Sequence, residues 1–226
     1  MNQLVAEKSI STRNAIIEAA HEQVYKVGFR KMSMEDIAHA AGLSRAAIYL
    51  HFKDKADLII AVMKWMGAVD LEHLKSIARQ KGSNSEKARE FLREHILVKM
   101  HRCQKVSSSL DELFTYVRQA FLNYRVEMNR QVAGVLTEIL IQGRMDREFI
   151  FDDAYRTAET LVYTTLSFMP YSLSNEELGD LDLITEKLDA VIDMGLRSIS
   201  AKTPAINSEA EHKRHPRLSR TNTGRN

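Results

Sequence analysis

The sequence predicts an all-α fold, and three observations carry that expectation. Glycine and proline number only 9 and 3 in 226 residues, while Ala, Leu, Glu, Lys, Arg and Met are plentiful, which favours helices over a turn-rich β fold. Apolar residues recur at helical spacing through most of the chain. Ser33 and Asp54 are each followed three positions later by an acidic residue, a pattern that marks helix starts.

The first helix is expected over 12–27, with Ala15, Ile16, Ala19, Ala20, Val24 and Val27 on its inner face, Ser11 or Thr12 as N-cap and Gly28 as its end. Ser33 opens a second, short helix in SMEDIAHAAG, where Asp36 is the acidic member of a capping box and Gly42 is the stop. Ser44 caps a third helix and Asp54 a fourth, with Asp57 at its third position. Three short helices with a glycine turn between the second and third make a helix-turn-helix. Beyond Asp54, helices are expected at about 55–79, 85–104, 109–118, 120–143, 153–170 and 181–200, broken at QKGSNS, VSSS, the Gly143 turn and SLSNEELGD. The division that follows is 1–54, 55–200 and a polar, basic tail, 201–226, expected to be disordered.

Composition narrows the function. With 44% hydrophobic and 27% charged residues the chain reads as an ordinary globular protein. Cys103 is the single cysteine, so no internal disulfide and no cysteine-rich zinc site is expected, and a reducing, cytoplasmic setting fits. No apolar run approaches the roughly 18 residues of a membrane helix. Subtracting acidic from basic side chains gives +1 for 1–60, −3 for 61–200 and +4 for 201–226, a distribution that tolerates a polyanion at the first segment and not at the body.

The stretch AGLSRAAIYLHFKDKADL, 41–58, carries the functional signal. A helix entering the DNA major groove needs small side chains for close approach and a few long donors for phosphates or base edges. Ser44, Arg45, Ala46 and Ala47 supply that face; Arg45 can pair bidentately with guanine or hold a phosphate, and Ala47 can touch a thymine methyl. Tyr49 and His51 are placed for backbone phosphates, and Lys55 is expected to add another phosphate contact. Ile48 and Phe52 point into a small core with Ile16, Ala20, Phe29 and Ile37.

Taken together, TRNAIIEAA followed by VGFRKMSMEDIAHAAGLSRAAIYLHFKDKADL resembles the N-terminal DNA-binding domain of the TetR family of bacterial regulators. The resemblance covers about residues 10–60. It rests on Thr12-Arg13, Gly28-Phe29, Ser33-Met34-Glu35-Asp36-Ile37-Ala38, Ala41-Gly42-Leu43-Ser44 and Tyr49-x-His51-Phe52-x-x-Lys55-x-x-Leu58. It implies that Thr12, Arg13, Ser33 and Met34 join the DNA-binding set. One departure is Ala46-Ala47, where members often carry Gly then Thr or Ser; the missing hydroxyl bears on the target sequence.

For 55–200 the resemblance implies a helical ligand-binding and dimerisation domain. Two late apolar stripes suit a subunit interface or an internal core: Ala154, Ala158, Leu161, Val162 and Thr165 on one helix, Leu188, Val191 and Ile192 on the other. Trp65, Met66, Met100, Phe114, Phe121, Tyr124 and Met128 suit an irregular apolar pocket, and equally an ordinary core. A largely apolar small molecule is the expected ligand, with Arg118 and Arg125 as candidates to meet a carboxylate. The function implied is a ligand-responsive repressor, a homodimer on a palindromic operator. The rival is a structural DNA-binding protein without a ligand. His95, His101 and Cys103 lack a same-face spacing, so no metal is expected. No phosphate loop or nucleophile motif appears, so neither a cofactor nor an enzyme activity is expected.

Overall fold

The computed structural model of the chain describes residues 2–104 and 110–201. The expected VSSS break falls wholly, and the basic tail almost wholly, outside those residues. Helix α1, Asn2–Lys31, starts a full two turns before the expected cap. Thr12 is no N-cap; its Oγ1 donates back to the Lys8 carbonyl at 2.9 Å, an ordinary bond inside a continuing helix. Gly28 does interrupt α1, at φ 79° and ψ 160°, a conformation that a side chain would resist.

The next three helices form as the caps dictate. In α2, Met34–Ala40, Ser33 Oγ accepts from Asp36 N–H at 3.1 Å while the Asp36 carboxylate accepts from Ser33 N–H at 3.3 Å. Gly42, at φ 69°, turns the chain into α3, Arg45–Tyr49, where Ser44 Oγ accepts from Ala47 N–H at 3.2 Å. Asp54 caps α4, Lys55–Ala78, by accepting from Asp57 N–H at 2.8 Å. Ile16, Ala20, Phe29, Ile37, Ile48, Phe52 and Leu58 are all buried where these helices meet.

The remainder packs around α4. Helix α5 spans Asn84–Gln104 and α6 Leu110–Met145. The expected pair 109–118 and 120–143 is one helix, because no glycine or proline near 119 interrupts it. Gly143 is likewise inside α6 and makes no turn; its missing Cβ admits the Phe149 ring. Helix α7, Ala154–Thr165, is followed by single 3-10 turns at Leu166–Phe168 and Pro170–Ser172, then by α8, Asn175–Gly179, and α9, Leu181–Ser198. Proline at 170 cannot extend α7 to the expected end.

Glu148, in the connection after α6, caps α5 from a distance. Its carboxylate accepts from Asn84 N–H and Ser85 N–H, both at 2.9 Å, and from the Ser83 hydroxyl at 2.8 Å. Partial burial pushes its pKa up, but these donors together hold it below the ordinary value. The end of α9 is tied to the same connection: Ile150 N–H donates to Ile199 O at 2.7 Å and Ala201 N–H to Glu148 O at 2.9 Å.

The stripes on α7 and α9 face inward in the single chain. Ala158, Leu161, Val162, Thr165, Leu188 and Ile192 are each at most 5% exposed within the single chain. They pack among α5, α6, α7 and α9 and belong to the internal core of the single chain. Ala154 and Val191 are partly exposed at the margin of that core. The outward faces of the same helices carry Tyr155, Tyr163, Leu183 and Met194 instead, between 39% and 66% exposed.

Candidate functional site

Two surfaces are candidates: the outer face of α3 and a cavity among α1, α4, α5 and α6. On the first, Ser33, Ser44, Arg45, Ala46 and Tyr49 are exposed, and Ala47 and His51 are partly so. Arg45 pairs with Glu35 at 3.7 Å, an exposed pair of little energetic weight. Arg13, exposed on α1, lies over the Phe52 ring at 4.7 Å, and Thr12 is partly exposed. The capping bonds leave the Ser33 and Ser44 hydroxyls at the helix starts, where backbone N–H groups and the helix dipole favour an anion.

Two members of the expected set are placed otherwise. Met34 is 8% exposed and belongs to the core beneath α2. Lys55 turns inward: its ammonium donates to the Phe29 carbonyl at 2.6 Å and sits 4.0 Å from the centre of the Phe29 ring. That carbonyl lies in the last turn of α1, which ends at Lys31, so Lys55 caps it from inside the protein. Burial lowers its pKa. Leu50, 85% exposed at the end of α3, and exposed Lys53 were not singled out from the sequence; their neighbours Tyr49 and His51 were the available signal.

The cavity has a volume of about 150 Å³ and is largely apolar. Met66, Phe114, Phe121, Tyr124 and Met128 line it. Trp65 and Met100 do not: Trp65 lies on the next face of α4, against the His21 ring at 5.3 Å, and Met100 is wholly buried in core. Of the two arginines, Arg125 reaches the cavity and lies over the Tyr171 ring at 5.4 Å; Arg118 stays exposed on α6. Gly67 of α4 makes room for Tyr124, whose hydroxyl donates to the Met63 carbonyl at 3.0 Å. His21, Val24 and Tyr25 bring α1 itself into the wall.

One side of this cavity is charged, which the sequence reading missed. Asp70 of α4, 4% exposed, accepts two bonds from the Arg102 guanidinium at 2.7 and 3.1 Å, and the Lys99 ammonium lies 3.6 Å away. Burial, together with the Arg102 charge, brings the Lys99 pKa down to about 8, despite the opposing pull of Asp70. His95, fully buried, is held well below its ordinary value by burial and by Lys99 beside it. Cys103 is pushed up to about 11 by burial and is a thiol at neutral pH. The available signal was register: Asp70 falls on the same inner stripe of α4 as Gly67, Leu74 and Ile77. Among the described residues, no group of three or more His, Cys, Asp and Glu side chains is placed to hold a metal ion, and no helix is long and apolar enough to cross a membrane.

Comparison with known proteins fits this arrangement. Residues 16–62 match the family model described as bacterial regulatory proteins, tetR family. The chain is 27% identical over 180 residues to the fatty acid metabolism regulator protein of Bacillus subtilis, covering 72% of this chain and 90% of that protein. It is 46% identical over 57 residues to the HTH-type transcriptional regulator TtgR of Pseudomonas putida, a match that spans 25% of this chain and 27% of that protein. In fold it is similar to the crystal structure of Thermus thermophilus FadR, a TetR family transcriptional repressor in complex with lauroyl-CoA, with a TM-score of 0.59, 20% identity, and coverage of 82% of this chain and 93% of that one.

Proposed function

The chain belongs to the TetR family and is a DNA-binding transcriptional regulator, and from this premise we propose that it is a ligand-responsive repressor, a homodimer acting on a palindromic operator. Residues 1–54 are the DNA-binding unit and 55–200 the effector and dimerisation unit. Ser44, Arg45, Ala46 and Ala47 meet base edges and adjacent phosphates in the major groove, and Thr12, Arg13, Ser33, Tyr49 and His51 hold the DNA backbone. Lys55 and Met34 support that surface from within.

The observation that carries the reading is that one helix serves both surfaces. Ile16 and Ala20 of α1 pack into the core under α3, while His21, Val24 and Tyr25 on the following turns line the cavity. A ligand that changes the wall at α1 moves the DNA-binding unit directly, in addition to any motion along α4. Release then follows from differential affinity of the ligand for the two dimer geometries. The effector is a largely apolar small molecule. Its space as it stands matches a benzene-sized cavity of about 150 Å³, and Met63, Met66 and Met128 in the lining can repack around something larger. The name of the Bacillus relative and the lauroyl-CoA bound to the Thermus repressor support an apolar, chain-like effector body.

The dimer uses the outward faces of α7 and α9, with Tyr155, Tyr163, Leu183 and Met194, in place of the buried stripes. Two-fold pairing sets the recognition helices one duplex turn apart, about 34–36 Å, or a multiple of it. Selection of bound duplexes from a random pool at near-physiological salt tests the reading. Enrichment of a palindrome with that half-site spacing is expected, with a dimer mass in sedimentation; no enriched sequence would overturn it.

A further inference from the structure

Resting on the effector reading above, we propose that the cavity selects an amphipathic carboxylate, a short apolar body with one anionic head seated against His95 and Lys99. The chemistry of the charged wall leads there in two steps. The Lys99 ammonium can only donate, and it lies 3.3 Å from His95 Nδ1 and 2.8 Å from the His95 carbonyl. Nδ1 therefore accepts, and in a neutral imidazole the proton sits on Nε2. That Nε2–H is buried and has no hydrogen-bond partner among the described residues, although His95 lines the cavity. A buried donor without an acceptor is costly, so a ligand that brings an acceptor there gains what the free protein lacks.

The second step is charge. Asp70, Lys99 and Arg102 carry one net positive charge between them and Arg125, on the α6 side, adds a second, in a lining whose remainder is mainly apolar. A low-dielectric site with surplus positive charge favours an anion and rejects a cation. His21 and Cys103, which also line the cavity, do not alter this balance: burial lowers the first and raises the second, so both are neutral near pH 7. An acceptor that is also an anion satisfies both requirements, and the apolar remainder of the lining sets the body.

Octanoate, octylamine and 1-octanol have the same chain and differ only in head, and calorimetric titration of each into the full chain at pH 7 reads the selectivity. Octanoate is expected to bind roughly tenfold or more tighter than octylamine, the scale of one charge-assisted hydrogen bond, with 1-octanol between them. His95→Phe keeps a flat ring and removes the donor, so the preference for octanoate should shrink to the part that the surplus charge supplies. His95→Gln restores an N–H near the Nε2 position and should recover part of it. Lys99→Met, a variant that keeps His95, should also weaken octanoate and leave 1-octanol nearly unchanged. Octylamine binding as tightly as octanoate, an unchanged preference in His95→Phe with a wild-type melting curve, or no binding of any probe would each overturn the assignment. Duplex selection on the same preparation separates these failures from failure of the regulator reading, since an enriched operator without octanoate binding rejects the head group alone.

Discussion

Replacing Asp70 by asparagine isolates what the buried charge cluster costs and contributes. The side chain keeps its shape and can still accept from Arg102, but the carboxylate that faces both Arg102 and Lys99 becomes neutral. The three side chains are 5%, 23% and 21% exposed, so two cations would remain largely desolvated with no anion between them. Removing one partner of a fully buried pair costs about 3–5 kcal/mol; the residual access of water to Arg102 and Lys99, and the amide oxygen that Asn retains, bring the expectation to about 2–3 kcal/mol. For a chain of this size that corresponds to a fall of roughly 4–12 °C in Tm. Urea unfolding followed by far-UV circular dichroism, at pH 7 and at one protein concentration, measures it. The double variant Asp70→Asn with Lys99→Met returns the cluster to its original net charge and should recover more than half of the loss. A single variant within about 0.5 kcal/mol of wild type, the range of an ordinary surface change, would refute the argument. So would a double variant no more stable than Asp70→Asn.

Other expectations follow from single features. Glu148→Ala removes the distant cap of α5 and should cost about 1–2 kcal/mol in urea unfolding. Because the folded Glu148 carboxyl is held below its ordinary value, its contribution is present above about pH 4.5 and lost as pH falls through the folded value; the variant should show a flatter acid limb between pH 6 and 3. His95 has the opposite charge type and a lowered value, so below about pH 6.5 the unfolded chain takes up a proton that the folded chain refuses. Wild-type stability should therefore fall on acidification from pH 7 to 5, and His95→Phe should lose that component. Gly67→Ala places a Cβ against the Tyr124 hydroxyl and 2.7 Å from Met128 Cε; about 1–3 kcal/mol of destabilisation and loss of measurable octanoate binding are expected by denaturation and calorimetry. Arg45→Ala should weaken binding to the selected operator by about 1–3 kcal/mol in fluorescence anisotropy, and unchanged affinity would remove Arg45 from base readout.

What was legible in the sequence was local. Ser33 with Asp36, Ser44, Asp54 and Gly42 act through bonds or backbone angles within four residues, and each appears in the structure where the spacing puts it. Thr12 misled because a hydroxyl suited to a cap is equally content donating to the carbonyl four residues back when the helix already exists. The stripes on α7 and α9 show the limit of periodicity more sharply. A stripe says that a face is buried, and Leu161, Val162, Leu188 and Ile192 are buried; it is silent on whether the covering atoms belong to the same chain. The charged wall was hidden for a related reason. Asp70 lies on α4, while His95, Lys99 and Arg102 share α5, and one-dimensional spacing cannot show that the two helices oppose these residues. Lys55 reads as a surface cation until the fold brings the last turn of α1, with the Phe29 carbonyl, within its reach.

The unequal stiffness of the cavity walls gives the proposed coupling its direction. A ligand larger than the free space must displace something. The α4–α5 wall is held by the paired Asp70, Lys99 and Arg102, and separating those charges in a poorly solvated site costs several kcal/mol. The α1 wall offers His21 and Tyr25, both partly exposed, in edge contact with each other at 4.9 Å, with His21 also touching Trp65. Such aromatic contacts are worth about 0.5–1.5 kcal/mol each, so α1 yields before α4 and α5 do. Beyond the Gly28 break, Phe29 is pinned by Lys55 of α4 and packs on Tyr116 of α6 at 5.3 Å, which holds the far end of α1 in place. Displacement of the His21–Tyr25 segment about that fixed end is therefore carried toward Arg13 and Ile16, on the turns that support the exposed face of α3. Trp65→Ala, which removes one of those weak contacts without entering the cavity, should lower the octanoate concentration needed to release operator DNA and leave the affinity for octanoate in the DNA-free protein unchanged or tighter. A higher requirement for octanoate would show that the force is transmitted through α4 instead.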